Sequence, residues 1–308
     1  MQGYSGTIGD GGKAILSDNS TAGNTKFSMA QVDAVYADLI FTTTTATGTD
    51  NLVSANGASF FRCVAHGARG SAFVTNNHGI VYLECEAYDF NKSNTSNLAG
   101  IDLAGGGATI ANCTIRDSSG SNCNGIRIGV GLAPFSVYNC IIHNLGGSGI
   151  LIGVVTNVRD AVIMNNNFYN NTGDAINITS TTSAVHILNN NFVKNTGKGI
   201  NNTTLANGVV FNNGYGSGTQ ANAADVTGQM MVSGAVTYAS GVTPWNSPTT
   251  GDFRISLAAA NFAGRGAFTQ TDATFGSATV GYPDIGAVQS LTGPGGTFTK
   301  EVSAGYAH

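Results

Sequence analysis

Asn112-Cys113-Thr114-Ile115-Arg116-Asp117-Ser118-Ser119-Gly120, Asn139-Cys140-Ile141-Ile142-His143-Asn144-Leu145-Gly146-Gly147, Asn165-Asn166-Asn167-Phe168-Tyr169-Asn170-Asn171-Thr172-Gly173 and Asn189-Asn190-Asn191-Phe192-Val193-Lys194-Asn195-Thr196-Gly197 align without a gap. The first Asn and the last Gly stay in register each time. A second phrase of the form Gly-Ile-x-Ile follows each copy, at Gly125 to Ile128, Gly149 to Ile152, Ala175 to Ile178 and Gly199 to Asn202. Weaker copies begin at Arg62-Cys63, Glu84-Cys85 and Asn212-Asn213, so the start positions 62, 84, 112, 139, 165, 189 and 212 are 22, 28, 27, 26, 24 and 23 residues apart. A near-constant step, varied only by insertions in turns, is the signature of stacked structural repeats.

Local patterns within each step select strands over helices. A short β-prone run precedes each anchor, as in Thr109-Ile110-Ala111, Ser136-Val137-Tyr138, Val162-Ile163-Met164, His186-Ile187-Leu188 and Val209-Val210-Phe211. An apolar residue follows it, Ile115, Ile142, Phe168 or Phe192, and then comes the Gly-Ile-x-Ile strand. Asn and Gly corners separate three short strands, and no helical window of ~10 residues fits between them. Helical and leucine-rich solenoids are thereby excluded. The pattern predicts an all-β chain, a right-handed parallel β-helix of three-strand coils of about 22–28 residues, with an irregular C-terminal cap.

The expected boundaries are 1–50 for an N-terminal coil or cap, 51–220 for the β-helix, 221–290 for the capping region and 291–308 for a linker and tail. Between Lys26 and Phe41, Ser28-Met29-Ala30-Gln31 has the form of a helical capping box, whereas Val32, Ala34 and Tyr36 alternate like a strand. The β-branched run Thr42 to Thr45 favours the strand. From Gly216 the repeat fades into Gly-, Ser- and Ala-rich sequence. The opening of the chain, rich in Gly, Ser and Thr, suggests a piece of a longer protein.

Charged residues are only 10% of the chain, against about 25% in ordinary globular proteins, and glycine reaches 43 residues. The surface is therefore built from hydroxyls and amides. With 13 Lys and Arg and a formal charge of −4, there is no basic stripe to neutralise phosphates, which argues against nucleic acid as a partner. No stretch approaches the ~18 apolar residues of a membrane span, nor does Met1 to Asp10 read as a secretion signal. A neutral polar surface suits a polysaccharide, and it equally serves solubility alone.

The phrases Ile163-Met164-Asn165-Asn166-Asn167-Phe168-Tyr169-Asn170-Asn171 and Ile187-Leu188-Asn189-Asn190-Asn191-Phe192 resemble the parallel β-helix repeat of the pectate-lyase-like superfamily. The segment Asp284-Ile285-Gly286-Ala287 resembles one that closes many bacterial and phage β-helix proteins. That resemblance implies an extracellular, cell-surface or virion-associated protein, and a trimer if the chain belongs to a phage fibre. The superfamily holds polysaccharide lyases, glycoside hydrolases, esterases, tailspikes and inactive members, so it implies a fold more than a reaction. Asn77-His78-Gly79 and Arg127-Ile128-Gly129 are only fragments of the polygalacturonase pattern, and the Arg-x-Pro-x-x-Arg of pectate lyases is absent. No catalytic residue of either family carries over.

Parallel coils stack at about 4.8 Å, so every column of the alignment is a ladder. The column Asn112, Asn139, Asn165, Asn189, Asn212 is expected to form an amide stack at a corner. The next column holds Cys63, Cys85, Cys113 and Cys140, and then Asn; a line of sulfurs is no tetrahedral metal site, so buried free thiols are expected there. Cys123, outside the column, is expected to be the more accessible thiol.

Chemistry, if present, belongs to the columns whose letters change. Glu84, Glu86, Asp89, Arg116, Asp117 and His143 fall in three neighbouring coils of a chain poor in charge. Asp117, Asp89, Arg116 and His143 are the candidate catalytic residues, and Tyr88, Glu86, Tyr169, Asp102 and Arg127 the candidate substrate-binding ones. Asp89 and Asp117 could share a calcium ion, with Arg116 or His143 taking the proton in a β-elimination. Two carboxyls of split pKa could instead hydrolyse a glycosidic bond. The x of Gly-Ile-x-Ile forms a second face, Asp102, Arg127, Leu151, Asn177 and Asn201, where Asp102 and Arg127 are expected to make an exposed ion pair. Two functional readings follow: a β-helix protein that binds and cleaves polysaccharide, or a structural or adhesive module without chemistry.

Overall fold

The computed structural model describes residues 12–18, 25–29, 33–44, 49–77, 79–96, 98–129, 134–153, 160–179, 184–202, 208–211, 213–216, 230–233, 235–237, 243–255, 292–293 and 296–297. His78, Asn212 and the Asp284-Ile285-Gly286-Ala287 segment lie outside them. Among the described residues the strands stack into three parallel sheets of ten, eight and nine strands. Sheet A runs from Ala14–Ser17 to Val236–Thr237, sheet B from Thr25–Met29 to Ile200–Asn202, and sheet C from Val35–Ala37 to Met230–Ser233. The chain is a right-handed parallel β-solenoid, as the repeat predicted.

Ala30, Gln31 and Val32 lie outside the described residues, and the described residues on either side of the candidate capping box are strands, Thr25–Met29, Val35–Ala37 and Leu39–Thr42. These pair with their counterparts one coil on, so stacking begins well before residue 51. It also continues past residue 220, because Met230–Ser233 pairs with Gly208–Phe211 and Val236–Thr237 with Gly214–Tyr215.

Alternation within each short strand sends one residue inward. In sheet A those are Ala87, Ile115, Ile142 and Phe168, all at most 1% exposed. The same column pairs in register from coil to coil, Ala87 with Ile115, Ile115 with Ile142 and Ile142 with Phe168. One core therefore runs the length of the stack, with Phe60 and Tyr82 ring to ring at 5.4 Å and 9°.

Two corners explain the Asn-rich alphabet. Arg62, Glu84, Asn112, Asn139, Asn165 and Asn189 all have φ between 50° and 57°, and so do Asp89, Asp117, Asn144, Asn170 and Lys194 at the far end of the sheet A strands, between 52° and 56°. Left-handed backbone is tolerated by Asn and Asp better than by other non-glycine residues. The first-Asn column is therefore a column of left-handed turns. The buried ladder lies one position on: Asn190 Oδ1 accepts from the backbone N–H of Asn166 at 3.0 Å and from its Nδ2 at 2.9 Å, and Asn213 Oδ1 does the same for Asn190 at 2.8 and 3.1 Å.

The cysteines occupy this same column in the earlier coils and are free and buried. Cys113 Sγ donates to Tyr82 O and Ala111 O, and Cys140 Sγ to Ile110 O and Tyr138 O. Asn190 Nδ2 meets the equivalent pair, Ile163 O and Leu188 O. Thiol and amide thus do one job, the amide more strongly. Cys123, expected to be accessible, is 0% exposed, packed where its sulfur meets Phe90 O and Asn91 O.

Asn190→Ala leaves the Asn166 amide and the Ile163 carbonyl buried without partners, a cost of about 2–3 kcal/mol. Asn190→Cys restores a donor to the carbonyls and is expected to lose less. Urea unfolding midpoints should rank wild type, Asn190→Cys, Asn190→Ala; equal midpoints for all three would mean that the ladder contributes nothing.

Candidate functional site

The outward residues of sheet A carry the changing letters. Thr42, His66, Tyr88, Arg116, His143, Tyr169 and Val193 are register partners in successive coils. The spacing forces neighbours into stacks: the His66 and Tyr88 rings lie 4.7 Å apart at 2°, and the Arg116 guanidinium sits 4.5 Å from the Tyr88 ring centre. Ring faces are consumed by one another, so the column shows a ligand its edges. Tyr88 therefore does not offer the sugar-stacking face that its type suggests.

Around this column lies an ion-pair network. Arg116 Nε donates to Glu86 Oε1 at 2.7 Å and Arg116 Nη1 to Asp117 Oδ2 at 2.5 Å. Asp117 Oδ1 accepts from Asn144 Nδ2 at 2.8 Å, and Asn144 Oδ1 from Asn170 Nδ2 at 2.9 Å. Burial raises the Asp117 pKa, but hydrogen bonds from Asn144 and Arg116 and the charges of His143 and Arg116 outweigh it, and the carboxyl titrates below its usual range. Asp89, one coil away, pairs with Lys92 at 2.6 Å. A calcium ion there would have to displace Lys92 and Arg116, so the donor set does not fit one. Among the described residues no group of three or more His, Cys, Asp or Glu side chains is placed to hold a metal.

Sheet A is open only along part of its length. The strands Trp245–Ser247 and Asp252–Ile255 form an antiparallel hairpin that folds back over it. Phe253 lies 5.1 Å from the His143 ring and 5.9 Å from Tyr169, and Trp245 lies 5.7 Å from Tyr169. His143 and Tyr169 are consequently buried, at 5% and 2% exposed. Glu86, Tyr88, Arg116 and Asp117 remain on the open side together with His66. The sequence signal for His66 was its register with Tyr88; the hairpin had none, since it lies beyond the repeat.

Asp102 and Arg127 are on sheet B, a different face. Their pairing is as expected, with Arg127 Nη1 2.9 Å from both Asp102 oxygens, but it is buried and not exposed: Asp102 is 4% accessible and also accepts from Ser71 Oγ at 3.3 Å. Burial pushes the Asp102 carboxyl up to about 6 against the pull of Arg127.

His143 Nδ1 and Trp245 Nε1 are both buried with no hydrogen-bond partner. Burial lowers the His143 pKa from 6.5, an effect that the charge of Asp117 only partly offsets. An unfolded or uncovered His143 takes a proton first, so cover over this ring is fully favoured above about pH 6.5 and is lost as pH falls through the lowered value. Trp245 is the single tryptophan of the chain. Its emission is expected to shift red on acidification below about pH 6.5, and His143→Phe, which keeps the ring contact, should abolish the shift; an identical titration in both proteins would show that another group controls the hairpin.

The sequence profile of the family described as right handed beta helix region matches residues 51–215. Among solved structures, the crystal structure of pectate lyase Pel9A superposes with a TM-score of 0.58 at 12% identity, covering 91% of this chain and 86% of that one. A structure titled glycoside hydrolase aligns with a TM-score of 0.39 at 13% identity over 61% of this chain and 37% of that one, too distant to carry weight. No curated protein sequence matches. With its profile match spanning more than half of the chain and three parallel sheets in register, the protein belongs to the right-handed β-helix family.

Proposed function

We propose that the protein binds a polysaccharide on the open part of sheet A, outside the cell or on a virion surface, and holds it without cleaving it. The observation that carries this reading is the outward column His66, Tyr88, Arg116 with Glu86 beside it, polar edges repeating once per coil on a rigid face. A chain molecule lying along the solenoid axis meets one such edge per step of about 4.8 Å. The shared fold with a pectate lyase is consistent with a polysaccharide ligand.

Cleavage is the weaker reading because of the charges. A general acid must keep its proton near the working pH, whereas the Asp117 pKa is lowered and both Asp117 and Glu86 bond the same guanidinium. Asp102 is the carboxyl with a raised pKa, and it is locked to Arg127 on another sheet. His143 lies under the hairpin, which keeps it from a proton on a bound sugar. Asp89 and Asp117 have a structural account, being members of the left-handed corner column.

Tyr88→Ala and Arg116→Ala are each expected to weaken binding to a panel of neutral and acidic polysaccharides by about tenfold, or about 1.4 kcal/mol. Incubation with the same panel, with calcium or with chelator, should release neither new reducing ends nor unsaturated uronates. Product formation abolished by Asp117→Ala would replace this reading with an enzymatic one.

A further inference from the structure

At the corner where sheet A gives way to sheet B, a trough of about 400 Å³ runs across successive coils. Its wall is assembled from Ser96 in one coil, Asn122 in the next, Ser148 and Leu151 in the third, and Thr172 and Asn177 in the fourth. Ser121, Asn124 and three glycines also line it, and among the described residues no charged side chain does. The glycines have a packing reason: a Cβ on Gly147 would lie 2.9 Å from the Cys123 backbone, and one on Gly173 2.7 Å from that of Gly147. Coils approach so closely here that side chains are excluded, and a floor of bare backbone results.

Polar groups in the trough fall into two sets. Asn122 and Asn124 are tied into the corner, Asn122 N–H and Nδ2 to Asn94, and Asn124 Oδ1 to the Ser148 amide at 3.1 Å. Asn177 is different. Its Oδ1 is buried with no partner, as are Asn165 Oδ1 and Asn167 Nδ2, and of these three asparagines Asn177 is the one that lines the trough. A buried acceptor left unmatched costs about 1–3 kcal/mol, so natural structures give such groups a partner, from protein, water or ligand. Asn177 follows Leu151 in the outward register of sheet B, which places an apolar contact beside the unmatched oxygen.

We infer that this trough is a second carbohydrate-binding site, selective for a short neutral oligosaccharide whose hydroxyl donates to Asn177 Oδ1. Four coils at about 4.8 Å per step give the length of a short oligosaccharide, not of a single sugar. Bare backbone and the hydroxyls of Ser148 and Thr172 meet the sugar's hydroxyls, and Leu151 meets a C–H face. With no lysine or arginine among the described lining residues, a uronate carboxylate finds no counter-charge there and loses its hydration. The trough shares only the ligand class with the proposed sheet A site and depends on different residues.

The test titrates wild type, Asn177→Ala, Thr172→Arg and Tyr88→Ala with soluble neutral homo-oligosaccharides of glucose, mannose and N-acetylglucosamine and with oligogalacturonates, and records thermal midpoints in parallel. Thr172 is exposed, so the arginine fills the trough without touching the core. Neutral oligosaccharides are expected to bind wild type in preference to oligogalacturonates. Asn177→Ala should weaken them about fivefold to tenfold, the loss of one hydrogen bond. Its thermal midpoint should stay or rise, because an unmatched oxygen is removed; a purely structural asparagine would give a fall. Thr172→Arg should abolish binding of the short neutral oligosaccharides, whereas Tyr88→Ala weakens only the long polysaccharides that lie along sheet A. Neutral-sugar binding that survives both trough variants but is lost in Tyr88→Ala overturns the trough and keeps sheet A. Preference for oligogalacturonates, or no neutral-sugar binding by wild type, also overturns it.

Discussion

In-register stacking of parallel coils is the constraint on which everything else in this molecule depends. Each residue of a coil sits about 4.8 Å from its counterpart above and below, so a side chain suited to one coil is tested against its own kind in the next. Columns of Ile and Phe inside, Asn at the buried ladder and Asn or Asp at the two left-handed corners are the outcome. Like-with-like stacking favours uncharged letters, because equal charges at that spacing repel. This accounts for a chain in which only 10% of residues are charged, with neutral amides supplying the polar contacts.

Asn165-Asn166-Asn167 shows how far the sequence could be read. Three identical letters do three jobs: Asn165 turns the backbone with φ 57°, Asn166 joins the interior ladder, and Asn167, fully buried one strand position before Phe168, accepts from Asn191 Nδ2 at 3.1 Å. The period and the strands were legible because every coil repeats them. Which asparagine formed the ladder was not, since left-handed backbone and amide stacking both select the same residue. The cysteines held the clue: a β-carbon with a sulfur suits a buried column and not a left-handed corner, so the column of Cys63, Cys85, Cys113 and Cys140 had to be the interior one.

The candidate site was legible only in part, for a related reason. Register placed Glu86, Tyr88, Arg116 and Asp117 on one face from sequence alone, and the structure has them in contact. Register also sent Asp102 and Arg127 to another face, together, but burial there depends on how Ser71 and the neighbouring coils close over them. The hairpin carrying Trp245 and Phe253 belongs to no column. Nothing in the repeat says where a non-repeating segment lands, and it lands on His143 and Tyr169.

Conserving a column is what stacking asks of a solenoid, so a column that changes at every step is the informative one. Thr42, His66, Tyr88, Arg116, His143 and Tyr169 differ in size, charge and polarity although they occupy equivalent positions. Planar groups are a partial answer, since a ring or guanidinium stacks on an unlike planar neighbour without requiring identity. Planarity explains why such residues are tolerated, and the hairpin explains why His143 and Tyr169 are aromatic. Neither explains the open end, where Arg116 holds two carboxylates and the His66 and Tyr88 rings stack half-exposed. Stability alone would be served there by the Thr and Asn of the ordinary coil, and the proposed binding of a polysaccharide accounts for the departure.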